Sequence, residues 1–398
     1  MFLDLILRRN PKLVEQAIAL QQAGDIPANC YVIDLDAVER NARTIAGEAA
    51  KHGLKTFAMT KQMGRNGSFC RAVMRGGVRA AVAVDMECAR ACHRAGMEIG
   101  HIGHLVQIPR HEAKAAAAMA PAYWTVFADE KAREASDASV ERGRVQPALA
   151  RIVASGDTFY RGHEGGFAAE DVLAVADGID ALPGLSFAGL TSFPTQLFDP
   201  ESRKVIATPN LATLGRAAEA LAAAGRTHIE VNAPGTTSTA ILPLLAAAGA
   251  TQIEPGHGLT GTTPLHVFED LPESPAVVYV SEVSHLIGGE AFCFGGGLYI
   301  DPVFPDYPLC AIVSKEPTAS PKALKRVAIP SSAAIDYYGM IANEGEPRAR
   351  VGDSVVFGFR PQAFVTRAYT VGVAGLSNGA PRVEAIHDAF GRIADWPS

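Results

Sequence analysis

HIEVNAPGTTSTAILPLLAAAGATQIEPGHGLTGTTP (228–264) contains one pattern twice. A short β-rich run (HIEVNA, 228–233; TQIEPG, 251–256) opens into a loop dense in Gly, Thr and Ser, and an Ala- and Leu-rich stretch of helical character lies between the two. Strand, loop and helix in repetition is the signature of a parallel sheet with crossover helices. Toward the N-terminus the same alternation extends back to about residue 31. It begins with an opening strand, YVIDLD (31–36), and its helix. The runs TFAMTK (56–61), AAVAVD (80–85), EIGHIG (98–103), YWTVFA (123–128), PALARIV (147–153) and SFAGLTSF (186–193) follow. With the two runs quoted first they make eight, separated by helical stretches such as ATLGRAAEALAAAG (212–225). Eight strands each followed by a helix predict a closed (β/α)8 barrel of TIM type, an α/β fold of ~250 residues. The open doubly wound sheet is the competitor. It usually has fewer strands and a Gly-rich first turn, and no GxGxxG follows the first strands here.

Toward the C-terminus the texture changes at about residue 272. AVVYVSEVSHLI (276–287), LCAIVS (309–314), RVAIP (326–330), DSVVFGFR (353–360) and FVTRAYTVGVAG (364–375) alternate with Gly, Pro and Asp turns, without long helices. This reads as a C-terminal all-β domain, a small barrel or sandwich. The expected division is 1–30 as a helical extension packing on the β domain, 31–270 as the barrel and 271–398 as the β domain. The acidic stretch EDLPESP (269–275) marks the boundary.

The 398 residues are too many for one ordinary core, which fits two domains. Apolar residues make up 48% and charged residues 20%, as in a globular protein. A net charge of -6 offers no basic field to a polyanion, so no nucleic-acid partner is expected. MFLDLILRRN (1–10) puts its apolar run before its arginines, the reverse of a signal peptide, and no stretch of 18 uncharged apolar residues follows. A cytoplasmic protein with no membrane span is expected. The six cysteines form no CxxC pair, so reduced thiols and no metal site are expected. Cys88 and Cys92, four apart, read as a buried helix seam. His101 and His104 lack a third ligand and read as structural.

Barrel enzymes place their chemistry at the C-terminal ends of the strands and bind phosphate in the loops after strands 7 and 8. Three features fall there. Lys61 closes the first strand, where desolvation turns an amine into a nucleophile; taken alone it reads as an ordinary loop lysine, as Lys55 does. Gly235, Thr236, Thr237 and Ser238 after strand 7, with Gly256, His257, Gly258, Leu259 and Thr260 after strand 8, are placed to cradle an anion. Glu254 ends strand 8, beside strand 1 once the barrel closes. Lysine, carboxylate and phosphate donors together ask for a ligand with an aldehyde, a ring nitrogen and a phosphate. Pyridoxal 5'-phosphate has all three.

These residues also carry a resemblance. YVIDLDAVERNAR, FAMTK, VDMECARACHRAG (84–96), GLTSFPT (189–195) and NAPGTTST resemble, in order and over nearly the whole chain, the alanine-racemase-like (fold type III) pyridoxal-phosphate enzymes. The resemblance implies that Lys61 holds the cofactor and that the chain acts at the α-carbon of a small amino acid or amine. It also implies a homodimer in which the β domain closes the neighbour's site. Two departures bear on the reaction. Where the racemases set an arginine against the pyridine nitrogen, this chain has Glu254 in an EPG motif, similar to the decarboxylase branch. Where they have a catalytic tyrosine, GEAFCFGGG (289–297) has Phe294, leaving Cys293, His285 or another tyrosine as the second acid or base.

Racemisation or epimerisation is the first expectation, and decarboxylation or another lyase reaction the second. A non-catalytic cofactor carrier is the reading from another class, against which the β domain counts. A barrel acting on phosphosugars through a lysine would leave Glu254 without a role. His163 and Glu164 (GDTFYRGHEGGF, 156–167) follow strand 5 and are weak candidates for a substrate contact. Tyr337, Tyr338, Arg360 and Arg367 are β-domain candidates, an arginine there suiting a substrate carboxylate.

Overall fold

The computed structural model describes residues 1–331 and 333–396. The chain forms two compact units: Ala42–Thr60 with Val73–Gly258, and Met1–Asn41 with Lys61–Ala72 and Leu259–Ser398.

The first unit is the barrel. Lys55–Met59, Ala80–Val82, Glu98–Ile102, Tyr123–Val126, Gln146–Val153, Leu185–Thr191, Glu230–Asn232 and Gln252–Ile253 pair in parallel around a closed ring of eight. These are the eight runs read from the sequence. The crossover helices show why the repeat folds this way. Pro209–Ala223 begins with Pro at its first turn, where the missing N–H costs nothing. Its buried Leu211, Leu214, Ala217 and Leu221 recur at helical spacing and give it one apolar face. Full burial of Leu214 and Leu221 contributes about 1.5–3 kcal/mol each. Met86–Arg94 is capped by Asp85, whose carboxylate accepts the Cys88 N–H at 2.7 Å. Cys88 and Cys92 are fully buried on that helix, against the Thr60 hydroxyl.

The second unit is built on antiparallel strands. Val277–Ile287, Glu290–Phe294, Tyr338–Ala342, Leu324–Ala328, Cys310–Ser314 and Ser354–Phe357 close on themselves, because the first strand pairs with both the second and the last. Cys30–Asp34 opens the alternating pattern in sequence but belongs to this sheet. It lies antiparallel to Val277–Ile287 and parallel to Tyr369–Ala374. The helices Phe2–Arg9 and Pro11–Ala23 join the same core. Leu3, Ile6, Leu13, Val14 and Ile18 cluster with Val278, Val280, Ile312, Val356 and Val371.

The segment after the first barrel strand, Lys61–Ala72, also belongs to this unit. Asn66 explains why. Its buried amide donates to the Thr370 carbonyl and hydroxyl, both at 3.1 Å, and meets His387 Nδ1 at 3.0 Å. Its Oδ1 accepts the Phe69 N–H and caps the helix Gly67–Arg75. Among the described residues no helix is long and apolar enough to cross a membrane.

Candidate active site at the C-terminal end of the barrel

Four strand ends of the barrel converge on one carboxylate. Glu254 follows the eighth strand and is 4% exposed. Its Oε1 accepts from Asn232 Nδ2 at 2.7 Å, at the end of the seventh strand. Asn232 Nδ2 also donates to Thr191 Oγ1 at 3.1 Å, at the end of the sixth. Glu254 Oε2 lies 3.3 Å from His104 Nε2, and both side chains are out of contact with water. His104 stands two residues beyond the strand Glu98–Ile102.

A buried cation lies on the fifth strand. Arg151 is fully buried and pairs in register with Thr191. Its Nη2 donates to the His163 carbonyl, and its guanidinium lies 4.6 Å from the Phe127 ring centroid. Nε and Nη1 meet no acceptor among the described residues. Burial pulls its pKa down to about 10, so it remains a cation at neutral pH. A buried charge with two idle donors is costly unless an anion joins it. Arg151 is absent from the sequence-derived site. The available signal was a charge in the middle of the apolar run PALARIV. Beside it Phe193 gathers an aromatic wall, with ring centroids 6.2 Å from His104, 5.9 Å from Tyr160 and 6.0 Å from His163.

The loops after strands 7 and 8 pack directly on each other. A Cβ on Gly258 would stand 2.5 Å from the Thr237 carbonyl oxygen, and one on Gly235 would stand 2.4 Å from that of Gln196. Only glycine fits at either position. Ser238, 1% exposed, has a hydroxyl with no partner among the described residues. The Thr236 amide is engaged by the Gln196 carbonyl at 3.0 Å, so its main chain is not spare for an anion. Gly256, His257 and Gly258 lead into the 3-10 turn His257–Thr260. Leu259 and Thr260 fall in the second unit, where the Leu259 carbonyl accepts from Asn41 at 3.1 Å and Thr260 pairs with the Thr262 hydroxyl.

Of the remaining sequence-derived residues, Glu164 lies in the barrel unit and the others in the second unit. Lys61 begins the 3-10 turn Lys61–Met63, two residues past the first barrel strand, with Nζ 5.0 Å from the centroid of Phe364. Cys293 points into the β core, where burial pushes its thiol up to about 11. On the other face of the same strand lie Phe292 and Phe294. His285 stacks on Phe292 at 4.6 Å and meets Tyr338 edge-on at 5.0 Å. Tyr337 is largely exposed beneath the Arg367 guanidinium, and Arg367 pairs with Asp336 at 2.7 Å. Arg360 is bound in two-point fashion by Asp301, a bond from Nη2 to Oδ1 of 2.7 Å and a second from Nε. Its charge is therefore already matched within the unit.

The barrel-end groups fit the cofactor inferred from the sequence. Idle Arg151 and Ser238 donors, glycine-tight loops and a hydrogen-bonded carboxylate suit a ligand with an oxyanion, a phosphate and a basic ring nitrogen. No group of three or more His, Cys, Asp or Glu side chains able to hold a metal occurs among the described residues.

Residues 33–264 match the family model described as alanine racemase, N-terminal domain, which spans more than half of the chain. The chain belongs to the alanine-racemase-like, fold type III family of pyridoxal-phosphate enzymes. Residues 278–383 match the model of the YhfX-like C-terminal domain. Along 98% of its length this family member is 39% identical to a protein of Escherichia coli (strain K12) described as uncharacterized protein YhfX, covering 99% of that relative. Among solved structures it resembles D-threonine aldolase from Filomicrobium marinum, with a TM-score of 0.69 and 20% identity over 93% of this chain and 96% of that one. It also resembles alanine racemase of Clostridium difficile 630 bound to cycloserine, at 0.64 and 14%, covering 92% and 99%. D-threo-3-hydroxyaspartate dehydratase from Delftia sp. HT23 gives 0.64 and 16%, covering 90% and 97%. At such identities the likeness speaks to the fold. The names span an aldolase, a racemase and a dehydratase, and single out no one reaction class.

Proposed function

We propose that this family member is a pyridoxal-phosphate-dependent enzyme that opens a bond at the α-carbon of a small amino acid and releases a group from it, a lyase reaction. The observation that carries this reading is Glu254, a buried carboxylate hydrogen-bonded by Asn232 with His104 beside it, where an arginine would weaken the ring's pull. When bound, the cofactor draws electrons from the α-carbon, most strongly with its ring nitrogen protonated. Glu254 keeps that proton in place. Lys61 holds the cofactor and, once freed, moves a proton at the α-carbon. Gly235, Thr237, Ser238, Gly256, His257 and Gly258 hold the phosphate, joined by Leu259 and Thr260. Arg151 turns its idle Nε and Nη1 to an anionic group, a substrate carboxylate or the ring oxyanion.

One observation favours racemisation as the second reading. His285 and Tyr338 lie together on the outer face of the β unit, where, in a homodimer, a partner subunit would meet them. That pair suits proton transfer on a second face better than Cys293, whose thiol is buried and held neutral. The test is proton NMR in D2O with the protein, pyridoxal phosphate and a panel of D- and L-amino acids, β-hydroxy amino acids included. The expected result is fragment formation or loss of the α-proton signal for one substrate class, absent in Lys61→Ala. Racemisation would show as exchange with both enantiomers accumulating. No exchange and no product from cofactor-loaded protein would overturn the reading.

A further inference from the structure

Two histidines three residues apart end up in different surroundings. His101 stands edge-on to Phe57 at 4.4 Å and tilted against Tyr123 at 5.2 Å, and its burial pulls its pKa down to about 3. His104, equally buried, has Glu254 Oε2 3.3 Å from its Nε2. Gly103 lies between them at φ +75°, and a Cβ there would fall 2.6 Å from the Thr125 carbonyl oxygen. That left-handed glycine turns the chain so that His104 leaves the strand direction and reaches the carboxylate.

We propose that His104 is a positioning residue for the cofactor's ring nitrogen, acting through Glu254. A carboxylate with one partner can rotate about its last bond. With Asn232 on Oε1 and His104 on Oε2, its plane is fixed from two sides. Asn232 donates the hydrogen bond, and His104 adds a contact at ion-pair distance. An ionised, oriented carboxylate is what a ring nitrogen needs to keep its proton. Aromatic packing alone, against Phe193 at 6.2 Å, would require only ring shape at this position. The inference rests on the cofactor reading above, and its test separates the two.

The experiment loads ¹⁵N-labelled pyridoxal phosphate into the wild type and into His104→Gln, His104→Leu and Glu254→Gln, and reads the ring-nitrogen shift and the cofactor dissociation constant. The expected wild-type signal is that of a protonated nitrogen, and Glu254→Gln moves it toward the unprotonated form. His104→Leu moves it in the same direction and weakens cofactor binding about tenfold, the size of one lost polar contact to a charged group. His104→Gln keeps a polar group at similar reach and stays near wild type. A His104→Leu protein with wild-type shift and affinity overturns the positioning role and leaves the cofactor reading intact. A wild type that binds no label overturns both. Should His104→Leu fail to fold, His104→Asn, polar but too short to reach Glu254, replaces it in the same comparison.

Discussion

The two ends of the barrel are both rich in polar side chains, but they treat them differently. At the N-terminal end Glu230 is fully used. It pairs with Lys55, accepts from Tyr123 Oη at 2.9 Å and takes the Thr251 hydroxyl at 2.6 Å. At the C-terminal end Arg151 and Ser238 keep donors that nothing in the described residues accepts. Unsatisfied buried atoms are not confined to one end, since Gln146 Oε1 and both amide atoms of Gln252 lack partners at the starts of their strands. What sets the C-terminal end apart is that a buried cation is among them. The contrast is between a carboxylate whose charge is matched and a buried cation whose charge is not, the latter at the strand end where barrels catalyse.

The comparison breaks first at its two charges, Arg151 and the half-buried Glu230. Arg151→Met is expected to lower turnover about 10- to 100-fold, the worth of a charge-assisted contact. The same change leaves stability of the ligand-free protein unchanged or raises it, because an uncompensated buried charge is removed. Urea unfolding with and without pyridoxal phosphate, beside steady-state rates, checks both. Loss of stability with full activity would assign Arg151 to the scaffold. Glu230→Gln is expected to do the opposite, leaving turnover within about twofold and costing about 1–2 kcal/mol of unfolding free energy. Lys55 is half exposed, so solvent screening discounts its share.

pH sharpens the same contrast with smaller effects. Burial alone would raise the Glu230 carboxyl, but hydrogen bonds from Lys55, Thr251 and Tyr123 prevail and hold it below the usual carboxylate range. Its stabilisation is therefore present above the unfolded value and is lost as pH falls through the depressed folded value. Glu230→Gln should flatten the most acidic part of a stability–pH curve. His101 acts earlier on the way down. Burial lowers it from 6.5 to about 3, so below pH 6.5 the unfolded chain takes up a proton that the fold refuses. Stability should fall from pH 6.5 toward 3, and His101→Phe should remove that part of the slope. An unchanged slope would place a charged histidine in the barrel.

Much of this was legible in the sequence, and the rest was hidden for definable reasons. All eight barrel strands could be counted, because a buried parallel strand is a short apolar run between loop and helix. Sheet membership could not be read in that way. YVID has the same texture as a barrel strand, yet it pairs with Val277–Ile287, and Asn66 ties the Lys61 segment to the same unit. Those choices are long-range pairings that no local window contains. Arg151 does not stand out in the sequence, because a lone cation inside an apolar strand gives no local sign that its donors are left idle. The inward direction of Cys293 was available from alternation. In EAFCF (290–294) Ala291 and Cys293 share one face, and the phenylalanines take the other.

The central claim is that Lys61, and no other lysine, carries the cofactor. Lys55 is the built-in control, since it begins the strand that Lys61 follows by two residues. The direct measurement is borohydride reduction of the pyridoxal-phosphate-loaded protein, followed by proteolysis and mass spectrometry of the lysine-containing peptides. The expected result is stoichiometric cofactor on the peptide containing Lys61, with the Lys55 peptide unmodified. Label on Lys55, label spread over surface lysines, or no label at all would contradict it.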